Sequence, residues 1–407
     1  MVNIKSLFDC CGCEACSQVC NRHAITMRQD FQGFYYPNVN YDLCNNCGLC
    51  EKICPLLNSF EERTPLHTYA LKNKNEKVRM DSSSGGVFTI LAEETIHAGG
   101  VVYGAVFDSD WSVFHERIDS IEGISRLRGS KYVQSRMDGV YQKVKEDLIS
   151  GIPVLFSGCH CHIAALHSFL RKEYNNLTTV DVVCGGVPSP RIWQDYLREE
   201  VAISHSSFAS NSISSTLNEK PSIKSVKFRE KSKGWRRYHL SIQISESSQK
   251  DNPDSSCITN STYYGEHTFM QSWLRGFISR PACHKCHFRC GRSGSDYTIA
   301  DYWGIENKHP DFFDDKGVSI LFVYNSLIPK SVLDKCDYIE TSFNDAAEGQ
   351  LSILQNKPYV PTSRIYYYLH DRINLNLSAS LKICLFIESA RNHIVYLRDH
   401  IHNIIRK

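Results

Sequence analysis

Two cysteine runs of identical spacing occupy the first 55 residues of the chain. Each run reads C-x2-C-x2-C-x3-C, a spacing that lets three thiolates of one tight loop bind three corners of a cubic iron-sulfur cluster, while the fourth cysteine reaches a second cluster. The pattern therefore predicts two 4Fe-4S clusters. The predicted ligands are Cys10, Cys13, Cys16 and Cys54 for cluster one, and Cys44, Cys47, Cys50 and Cys20 for cluster two.

This segment resembles a bacterial-type two-cluster ferredoxin. The proline that usually follows the fourth cysteine is present as Pro55 after Cys54, whereas Asn21 follows Cys20. Because that proline shapes a turn and binds no iron, we expect the difference to leave cluster binding intact. Cys11 lies outside the pattern and is interpreted as a bystander.

Disulfide bonds and zinc sites are the alternatives for these cysteines. A disulfide framework requires an oxidising compartment, and residues 1–9 lack the apolar core of a signal peptide. Zinc sites usually consist of C-x2-C pairs that lie far apart, so two uninterrupted runs fit clusters better. We therefore expect a cytoplasmic protein whose 18 cysteines serve metal or redox chemistry.

Length and charge exclude several functional classes. The 407 residues suffice for two or three domains. A formal net charge of +2 argues against a general nucleic-acid binder. No run of about 18 apolar residues is present that could span a bilayer. We therefore expect no nucleic-acid partner and no transmembrane segment.

Two loops in the first third of the chain have the composition of anion-binding sites. Residues 81–86 are rich in Ser and Gly and precede a helix predicted over 87–97, whose first N–H groups suit a phosphate. An ordinary capped helix explains this stretch equally well. Residues 126–132 carry three cations beside Gly129, although their charge alone favours a solvated loop.

Two strand–turn–helix units follow one another between residues 152 and 201, and each turn contains cysteine. Two such units predict a parallel sheet with both turns at the carboxyl ends of their strands, the edge at which α/β sheets bind cofactors. Cysteines from both turns should therefore converge. The units comprise a strand over 152–156, a turn over 157–162 with Cys159 and Cys161, a helix over 163–170, a strand over 178–183, a turn beginning at Cys184 and a helix over 191–201.

The rest of the chain adds a third cysteine group and a long helix. Cys283 and Cys286 form a C-x2-C pair that needs two more ligands, which the two cysteine turns can provide. The apolar spacing over 378–407 predicts an amphipathic helix packed on the body of the protein or on a neighbouring subunit. Further predictions are strands over 99–107, 112–118, 225–229, 238–245 and 318–324, and polar loops over 204–222 and 246–256.

From about residue 80 to residue 325, the chain resembles the coenzyme F420 hydrogenase/dehydrogenase beta-subunit family. The motifs that carry the resemblance are residues 84–86 (SGG), 129–132 (GSKY), 156–161 (FSGCHC), 181–190 (DVVCGGVPSP), 283–286 (CHKC) and 296–304 (DYTIADYWG). The resemblance implies a domain that binds FAD and often a 4Fe-4S cluster of its own. The implied ligands of this third cluster are Cys161, Cys184, Cys283 and Cys286. Cys159 competes with Cys161 for the first position, and Cys290 is an extra candidate.

The resemblance is also the basis for the expected FAD site. We expect the pyrophosphate at the start of the helix over 87–97, and Lys131 near the flavin or the negative charge of the substrate. The catalytic candidates are Lys131, Tyr132 and His162. The implied cofactor-binding residues are Ser83, Ser84, Gly85, Gly86, Gly129, Ser130, Lys131 and Tyr132.

Together these features predict a multidomain chain that combines the α+β and α/β classes. A small ferredoxin-like domain with two 4Fe-4S clusters is followed by a mixed α/β flavin-binding domain. The predicted divisions are 1–60 for the ferredoxin domain, 70–150 and 151–330 for two parts of the flavoprotein domain, and 331–407 for a C-terminal helical extension.

The function that the resemblance implies is oxidation and reduction. Clusters pass electrons singly and FAD exchanges a hydride, so the protein would connect an electron-donor or acceptor protein to a small molecule, either the deazaflavin coenzyme or a sugar or polysaccharide precursor. One alternative is a non-catalytic ferredoxin-like subunit that docks a partner enzyme, and another is a zinc-containing regulatory module. The direction of electron flow and assembly into a homo-oligomer are left open.

Overall fold

The computed structural model describes residues 7–58, 61–211, 221–245, 257–325, 328–355, 363–373 and 375–405. No helix within these ranges is both long enough and apolar enough to cross a membrane. The strands are β1 (Ile25–Gln29), β2 (Tyr35–Val39), β3 (His67–Asn73), β4 (Val101–Phe107), β5 (Val113–Ile118), β6 (Val154–Cys159), β7 (Leu177–Val182), β8 (Ser222–Glu230), β9 (His239–Ser245), β10 (Cys257–Tyr263), β11 (Tyr297–Asp301), β12 (Ser319–Val323) and β13 (Cys336–Glu340). The helices are α1 (Ala15–Gln18), α2 (Leu49–Lys52), α3 (Glu76–Asp81), α4 (Val87–His97), α5 (Ile124–Leu127), α6 (Val140–Ile149), α7 (His160–Leu170), α8 (Pro190–Asn211), α9 (Thr268–Leu274), α10 (Ile305–Lys308), α11 (Lys330–Asp334), α12 (Phe343–Glu348), α13 (Leu351–Leu354), α14 (Ser363–Arg372) and α15 (Leu377–Ile405).

The head, residues 7–58, is a small domain that contains both cysteine runs around the antiparallel β1–β2 hairpin. Each cysteine loop leads into a one-turn helix, α1 or α2. Both loops adopt the left-handed backbone on either side of their second cysteine, with φ of 71° at Gly12 and 65° at Glu14, and of 57° at Asn46 and 72° at Gly48. Such turns direct successive N–H groups into one concavity. The two loops therefore share one conformation suited to enclosing an anion.

A large mixed sheet forms the body of the protein, with strand order β13-β3-β12-β11-β7-β6-β4-β5. The four strands β4, β6, β7 and β11 run parallel, and antiparallel pairs flank them on both sides. The apolar start of β6 is buried, as expected for a parallel strand covered on both faces. The predicted mixed α/β fold with a small ferredoxin-like domain is thus confirmed. The carboxyl ends of β6 and β7 lie side by side at one edge of the sheet.

A second sheet, with strand order β10-β9-β8, packs its apolar side chains against α8 and α9. The core between them contains Trp193, Phe228 and Phe269, and the rings of Trp193 and Phe228 have centroids 4.9 Å apart. Arg229 on β8 and Tyr238 just before β9 extend from this sheet to the carboxyl-terminal edge of the large sheet. The small sheet therefore supplies side chains to the same edge.

Two predicted boundaries around α8 and α7 were wrong. The helix predicted to end at residue 201 continues to Asn211, because serines can occupy a helix by bonding back to the preceding turn, as Ser206 Oγ does to the carbonyl oxygen of Ala202 at 3.1 Å. The turn predicted over 157–162 is also shorter, since β6 extends to Cys159 and α7 begins immediately after it.

The C-terminal part differs from the prediction as well. The segment predicted as a helical extension from residue 331 contains β13, which pairs with β3 and completes the large sheet. The long helix predicted over 378–407 is present as α15. The predicted loop over 246–256 lies outside the described residues, as do residues 212–220.

The head docks on the body through main-chain groups of the β1–β2 turn. Arg191 Nη1 donates to the carbonyl oxygen of Phe31 at 2.6 Å, and the Tyr367 hydroxyl donates to that of Gln32 at 3.2 Å. Gly33 follows them in the turn with φ of 84°, and a Cβ there would lie 2.2 Å from Arg191 Cβ. The approach of the two domains at this turn therefore requires glycine.

This packing predicts that Gly33→Ala destabilises the protein more than an alanine at an unhindered left-handed glycine. The clash should cost about 1–3 kcal/mol beyond the roughly 1–2 kcal/mol of a left-handed alanine. Gly151, with φ of 79° and no atom within 4 Å of the position that a Cβ would take, provides the matched variant Gly151→Ala. Thermal unfolding midpoints of the two variants compare them, and equal decreases would contradict the docking argument.

Candidate cluster and cofactor sites

The predicted ligands of cluster one meet in one small cavity of the head. Cys10, Cys13 and Cys16 of the first run line it together with Cys54 of the second run, the crossed arrangement that the spacing predicts. Burial raises the pKa of Cys54 to about 11, so this thiol keeps its proton at neutral pH until a bound metal displaces it. Cys11 also lines this cavity.

The predicted ligands of cluster two lie closer to the surface of the head. Cys50 is buried, Cys20 and Cys44 are half-buried, and Cys47 is exposed. The backbone N–H of Ala24 donates to Cys20 Sγ at 3.4 Å, which helps to orient that thiol. A cluster held by these residues would lie on the solvent side of the head.

A second cysteine-lined cavity, the cysteine nest, lies at the carboxyl-terminal edge of the large sheet. Its thiols come from the head, from the junction of β6 and α7, from the turn after β7, and from the turn that begins at Pro281. The four residues predicted for a third cluster are all present, together with two more. The lining cysteines are Cys11, Cys159, Cys161, Cys184, Cys283 and Cys286.

Two pairs of thiols interact within the nest. The Cys159 thiol lowers the pKa of Cys184 to about 6. The Cys13 and Cys161 thiols lower the pKa of Cys11, and Cys11 of the head lines the nest. Both Cys159 and Cys161 therefore remain candidates for one ligand position. Among the described residues, no three His, Cys, Asp or Glu side chains have the spacing that would hold a single metal ion.

Positive charge surrounds the nest. His160 Nδ1 lies 2.7 Å from a carboxylate oxygen of the fully buried Asp181. Burial opposes protonation of His160, but the Asp181 carboxylate raises its pKa above the ordinary value. The Arg289 guanidinium is also buried, its Nε has no hydrogen-bond partner in the described structure, and its charge helps to lower the pKa of Cys184. These groups favour an anion in the nest.

A cavity of about 390 Å³ adjoins the nest at the carboxyl ends of β4, β6, β7 and β11. The two cavities share Cys159, His162 and Cys184. The residues predicted for FAD that line the larger cavity are Ser83, Ser84, Gly86, Gly129, Ser130, Lys131 and Tyr132. The remaining one, Gly85, lies behind the loop, where its N–H donates to Ser319 Oγ at 2.9 Å.

One end of the large cavity is suited to phosphate. Gly86, with φ of 85°, is the N-cap of α4 and provides no side-chain cap, so the first N–H groups of this eleven-residue helix face the cavity. Arg128 Nε donates to Oγ1 of Thr89, a residue in the first turn of α4, at 3.2 Å. Ser83 Oγ accepts a hydrogen bond from the Ser130 N–H at 2.7 Å, which joins the loop over residues 81–86 to the loop over residues 126–132.

Lys131 is a half-buried cation on the cavity wall. Its Nζ donates to the carbonyl oxygens of Leu127, Arg128 and Gly129, at 3.2 Å for Gly129. Burial lowers the pKa of Lys131 to about 7, and repulsion from Arg126 acts in the same direction. An anion beside Lys131 would therefore raise the fraction of this side chain that is protonated at neutral pH.

The other end of the cavity is aromatic. Tyr132 stacks on Trp273 with ring centroids 3.9 Å apart. Arg229 pairs with both carboxylate oxygens of Asp301, at 2.8 and 3.0 Å, yet its buried Nε has no hydrogen-bond partner in the described structure. Planar ligands stack well on such walls.

His162 lies where the large cavity meets the nest. Burial lowers its pKa to about 4, so the imidazole is neutral at pH 7. Its Nδ1 is buried and has no hydrogen-bond partner in the described part of the chain. The structure therefore places all three catalytic candidates on the wall of one cavity.

Sequence reasoning missed several residues of these sites. Arg229, Tyr238 and Trp273 line the large cavity, but they belong to the small sheet and α9, and no local motif marks them. Trp303 lies within a motif of the family resemblance, although no role was assigned to it. Cys11 lines both cysteine cavities, and only its odd position beside the first run distinguished it.

Comparison with known proteins gives matches to both parts of the chain. The family model of the 4Fe-4S dicluster domain matches residues 9–57, and that of the C terminus of the coenzyme F420 hydrogenase/dehydrogenase beta subunit matches residues 153–342. The F subunit of the F420H2 dehydrogenase of Methanosarcina mazei is 24% identical over 179 residues, which are 41% of this chain and 49% of that protein. The ferredoxin-type protein NapF of Escherichia coli K12 is 41% identical over 44 residues, which are 11% of this chain and 27% of that protein.

This chain thus spans about half the length of the first relative and about a quarter of the second. A solved structure of the F420-reducing [NiFe] hydrogenase complex of Methanosarcina barkeri aligns with a TM-score of 0.44 and 15% identity, covering 71% of this chain and 86% of that chain. The matching domain models and the first relative agree with the cysteine pattern and the motifs of the sequence. The chain thus combines a 4Fe-4S dicluster domain over residues 9–57 with a domain over residues 153–342 that matches the C terminus of the coenzyme F420 hydrogenase/dehydrogenase beta subunit.

Proposed function

We propose that the protein is an iron-sulfur flavoprotein oxidoreductase that moves electrons between a one-electron carrier protein and a small molecule. The observation that carries the proposal is the continuity of three cavities. Cys11 lines both the cluster one cavity and the nest, and Cys159 and Cys184 line both the nest and the large cavity. Charge can therefore pass from the head to the large cavity through adjoining sites.

The nest is proposed to hold a third 4Fe-4S cluster. Thiolates are the ligands that such clusters require, and the nest has more than four thiols in reach. The proposed ligands are Cys184, Cys283 and Cys286 with either Cys161 or Cys159. His160 and Arg289 would balance the negative charge of the ligated cluster.

The large cavity is proposed to hold FAD, which supplies two-electron hydride chemistry next to the one-electron clusters. Its residues fit that group: the uncapped start of α4 and Arg128 suit the pyrophosphate, and the wall of Tyr132 and Trp273 suits a planar ring. His162 Nδ1 and Arg229 Nε, which have no hydrogen-bond partner in the described structure, belong to residues that line this cavity and could bond to the ligand.

Among the catalytic candidates, Lys131 is the one suited to exchanging a proton at neutral pH, since its pKa is about 7. Tyr132 is held by its stack on Trp273 and is proposed to position the ligand. The name of the first relative makes a reduced deazaflavin the first substrate to test. The sugar or polysaccharide precursor stays a prediction.

Anaerobic purification followed by iron, sulfide and flavin analysis tests the proposal. About twelve irons and one FAD per chain are expected for three four-iron clusters and one flavin. Eight irons without flavin would instead support a ferredoxin-like carrier subunit, and zinc without sulfide would refute both functions.

The third cluster predicts a specific loss of iron in Cys184→Ser. Iron should fall by about four per chain while the head keeps about eight, because each cubic cluster contains four irons. Cys257, an exposed cysteine on β10, gives the control Cys257→Ser, which should keep the full content. Iron counts of Cys159→Ser and Cys161→Ser then assign the fourth ligand. Unchanged iron in Cys184→Ser would contradict the proposed site.

The pKa of Lys131 predicts that FAD affinity falls as pH rises. A bound anion raises the pKa of Lys131 above its value of about 7 in the free protein, so the added affinity is complete below pH 7 and is lost as pH rises through the bound-state pKa. Each unit of that rise is worth about tenfold in affinity. FAD titrations at several pH values should show this loss in the wild-type protein and a flat profile in Lys131→Met.

The exposed Lys143 on α6 provides the control variant Lys143→Met, which removes the same charge from a residue outside the cavity lining. This control should retain the wild-type pH profile. A Lys131→Met protein with wild-type affinity and pH profile would exclude Lys131 from the FAD site.

A further inference from the structure

Arg280 is a fully buried cation at the junction of the head and the body. Its Nε donates to the carbonyl oxygen of Cys10 at 2.7 Å and its Nη2 to that of Tyr35 at 2.9 Å, both in the head. Its Nη1 donates to Gln134 Oε1 of the body at 3.1 Å. Cys283 of the nest follows Arg280 by three residues. One guanidinium thus connects the cluster one loop to the nest.

None of these partners carries a negative charge. The guanidinium lies over the ring of Tyr36, with Cζ 4.1 Å from its centroid. No Asp or Glu carboxylate forms an ion pair with Arg280 in the part of the chain that the structure describes. The buried Arg229, by contrast, pairs with Asp301 at 2.8 Å. A buried charge without a counterion is unfavourable, so the Arg280 guanidinium favours an anion beside it.

Arg280 lies between residues of both cysteine sites. The Cys283 N–H donates to the carbonyl oxygen of Arg280 at 2.9 Å, and Cys283 lines the nest. Cys10, whose carbonyl oxygen accepts from the guanidinium, lines the cluster one cavity, and the adjacent Cys11 lines both cavities. A negatively charged group bound in either cavity would therefore lie near the charge of Arg280.

The cysteine loop is shaped to admit this side chain. A Cβ at Gly12 would lie 2.8 Å from Arg280 Cζ and 2.5 Å from Gln134 Nε2. Gly12 also has φ of 71°, which disfavours other residues. The guanidinium can approach the loop this closely only because residue 12 has no side chain.

We propose that Arg280 is the shared counter-cation of cluster one and the third cluster, a positioning residue that raises the reduction potentials of both. This inference rests on the proposed function, since it requires a cluster in the nest. Reduction adds one electron, and so one negative charge, to each cluster. A cation buried beside them stabilises the reduced state more than the oxidised state, because the attraction grows with the charge and is weakly screened inside the protein.

The variant Gln134→Glu tests the charge while it preserves the hydrogen bond to Arg280. The new carboxylate would occupy the position of the amide oxygen 3.1 Å from Nη1 and neutralise the guanidinium. Dithionite titration of the anaerobic holoprotein, followed by electron paramagnetic resonance, measures the three cluster potentials. Two of them should shift to more negative values while the third, that of cluster two, stays constant.

Three further variants distinguish an effect of the Arg280 charge from an effect of its hydrogen bonds on the local structure. Arg280→Met should shift the same two potentials, whereas Arg280→Lys should keep them closer to the wild-type values because the charge remains. Gln29, on the exposed side of β1, gives the control Gln29→Glu, which adds the same charge at the surface of the head and should leave the potentials unchanged. Iron content should stay near twelve per chain in every variant that is compared.

A Gln134→Glu protein with twelve irons and three unshifted potentials would overturn the role of Arg280, and so would an equal shift of all three. A purely structural clamp predicts the first of these results, because the hydrogen bond is kept. Eight irons in the wild-type protein would overturn the proposed third cluster, and this inference with it. Iron analysis and the potentials therefore distinguish the two failures.

Discussion

Burying several negatively charged metal clusters inside a protein requires buried positive charge beside them, and this constraint shapes the centre of the molecule. Thiolates and the clusters they ligate are poorly stabilised at low dielectric unless cations or N–H groups face them. The left-handed turns at Gly12 and Asn46 orient N–H groups inside the head. At the nest, the ion pair of His160 with Asp181 and the charge of Arg289 would serve the same need for the proposed third cluster.

The proposed sites must also lie close to one another, and the parallel sheet brings them together. Strands β6 and β7 end at one edge, so the cysteines that follow them face the same space. The start of α4 and the loop before Tyr132 border the adjacent cavity at this edge, and β8 reaches it through Arg229. Docking of the head at Gly33 then brings Cys11 against the nest. Two cysteine-lined cavities and the large cavity thus become contiguous through one sheet edge and one domain contact.

The sequence predicts those features that depend on local spacing. The cysteine runs define the crossed ligand set of cluster one, which the structure assembles in a single cavity. The helix predicted over 87–97 has the observed bounds of α4, since its apolar periodicity and its Ser-Gly start are local signals. The two strand–turn–helix units also appear as parallel strands, with the turn of the first shortened to the junction at Cys159.

The features that escape prediction depend on contacts between distant segments. Arg280 donates a hydrogen bond to the carbonyl oxygen of Cys10, which lies 270 residues away in the sequence. No motif around either residue predicts that contact. Trp273 becomes part of the cavity wall because α9 places its ring against that of Tyr132, a contact that neither local sequence shows. The charges over residues 126–132 favoured a solvated loop, because the sequence does not show that the loop borders a cavity.

In the proposed function, the nest transmits electrons between the head and a flavin in the large cavity. Anaerobic stopped-flow reduction of the FAD-loaded protein by a one-electron donor measures this transfer, with the bleaching of the clusters and of the flavin recorded together. Flavin reduction is expected to follow cluster reduction in the wild-type protein and to become much slower when the nest has lost its cluster. Flavin reduction at the wild-type rate in a protein without that cluster would contradict this role of the nest.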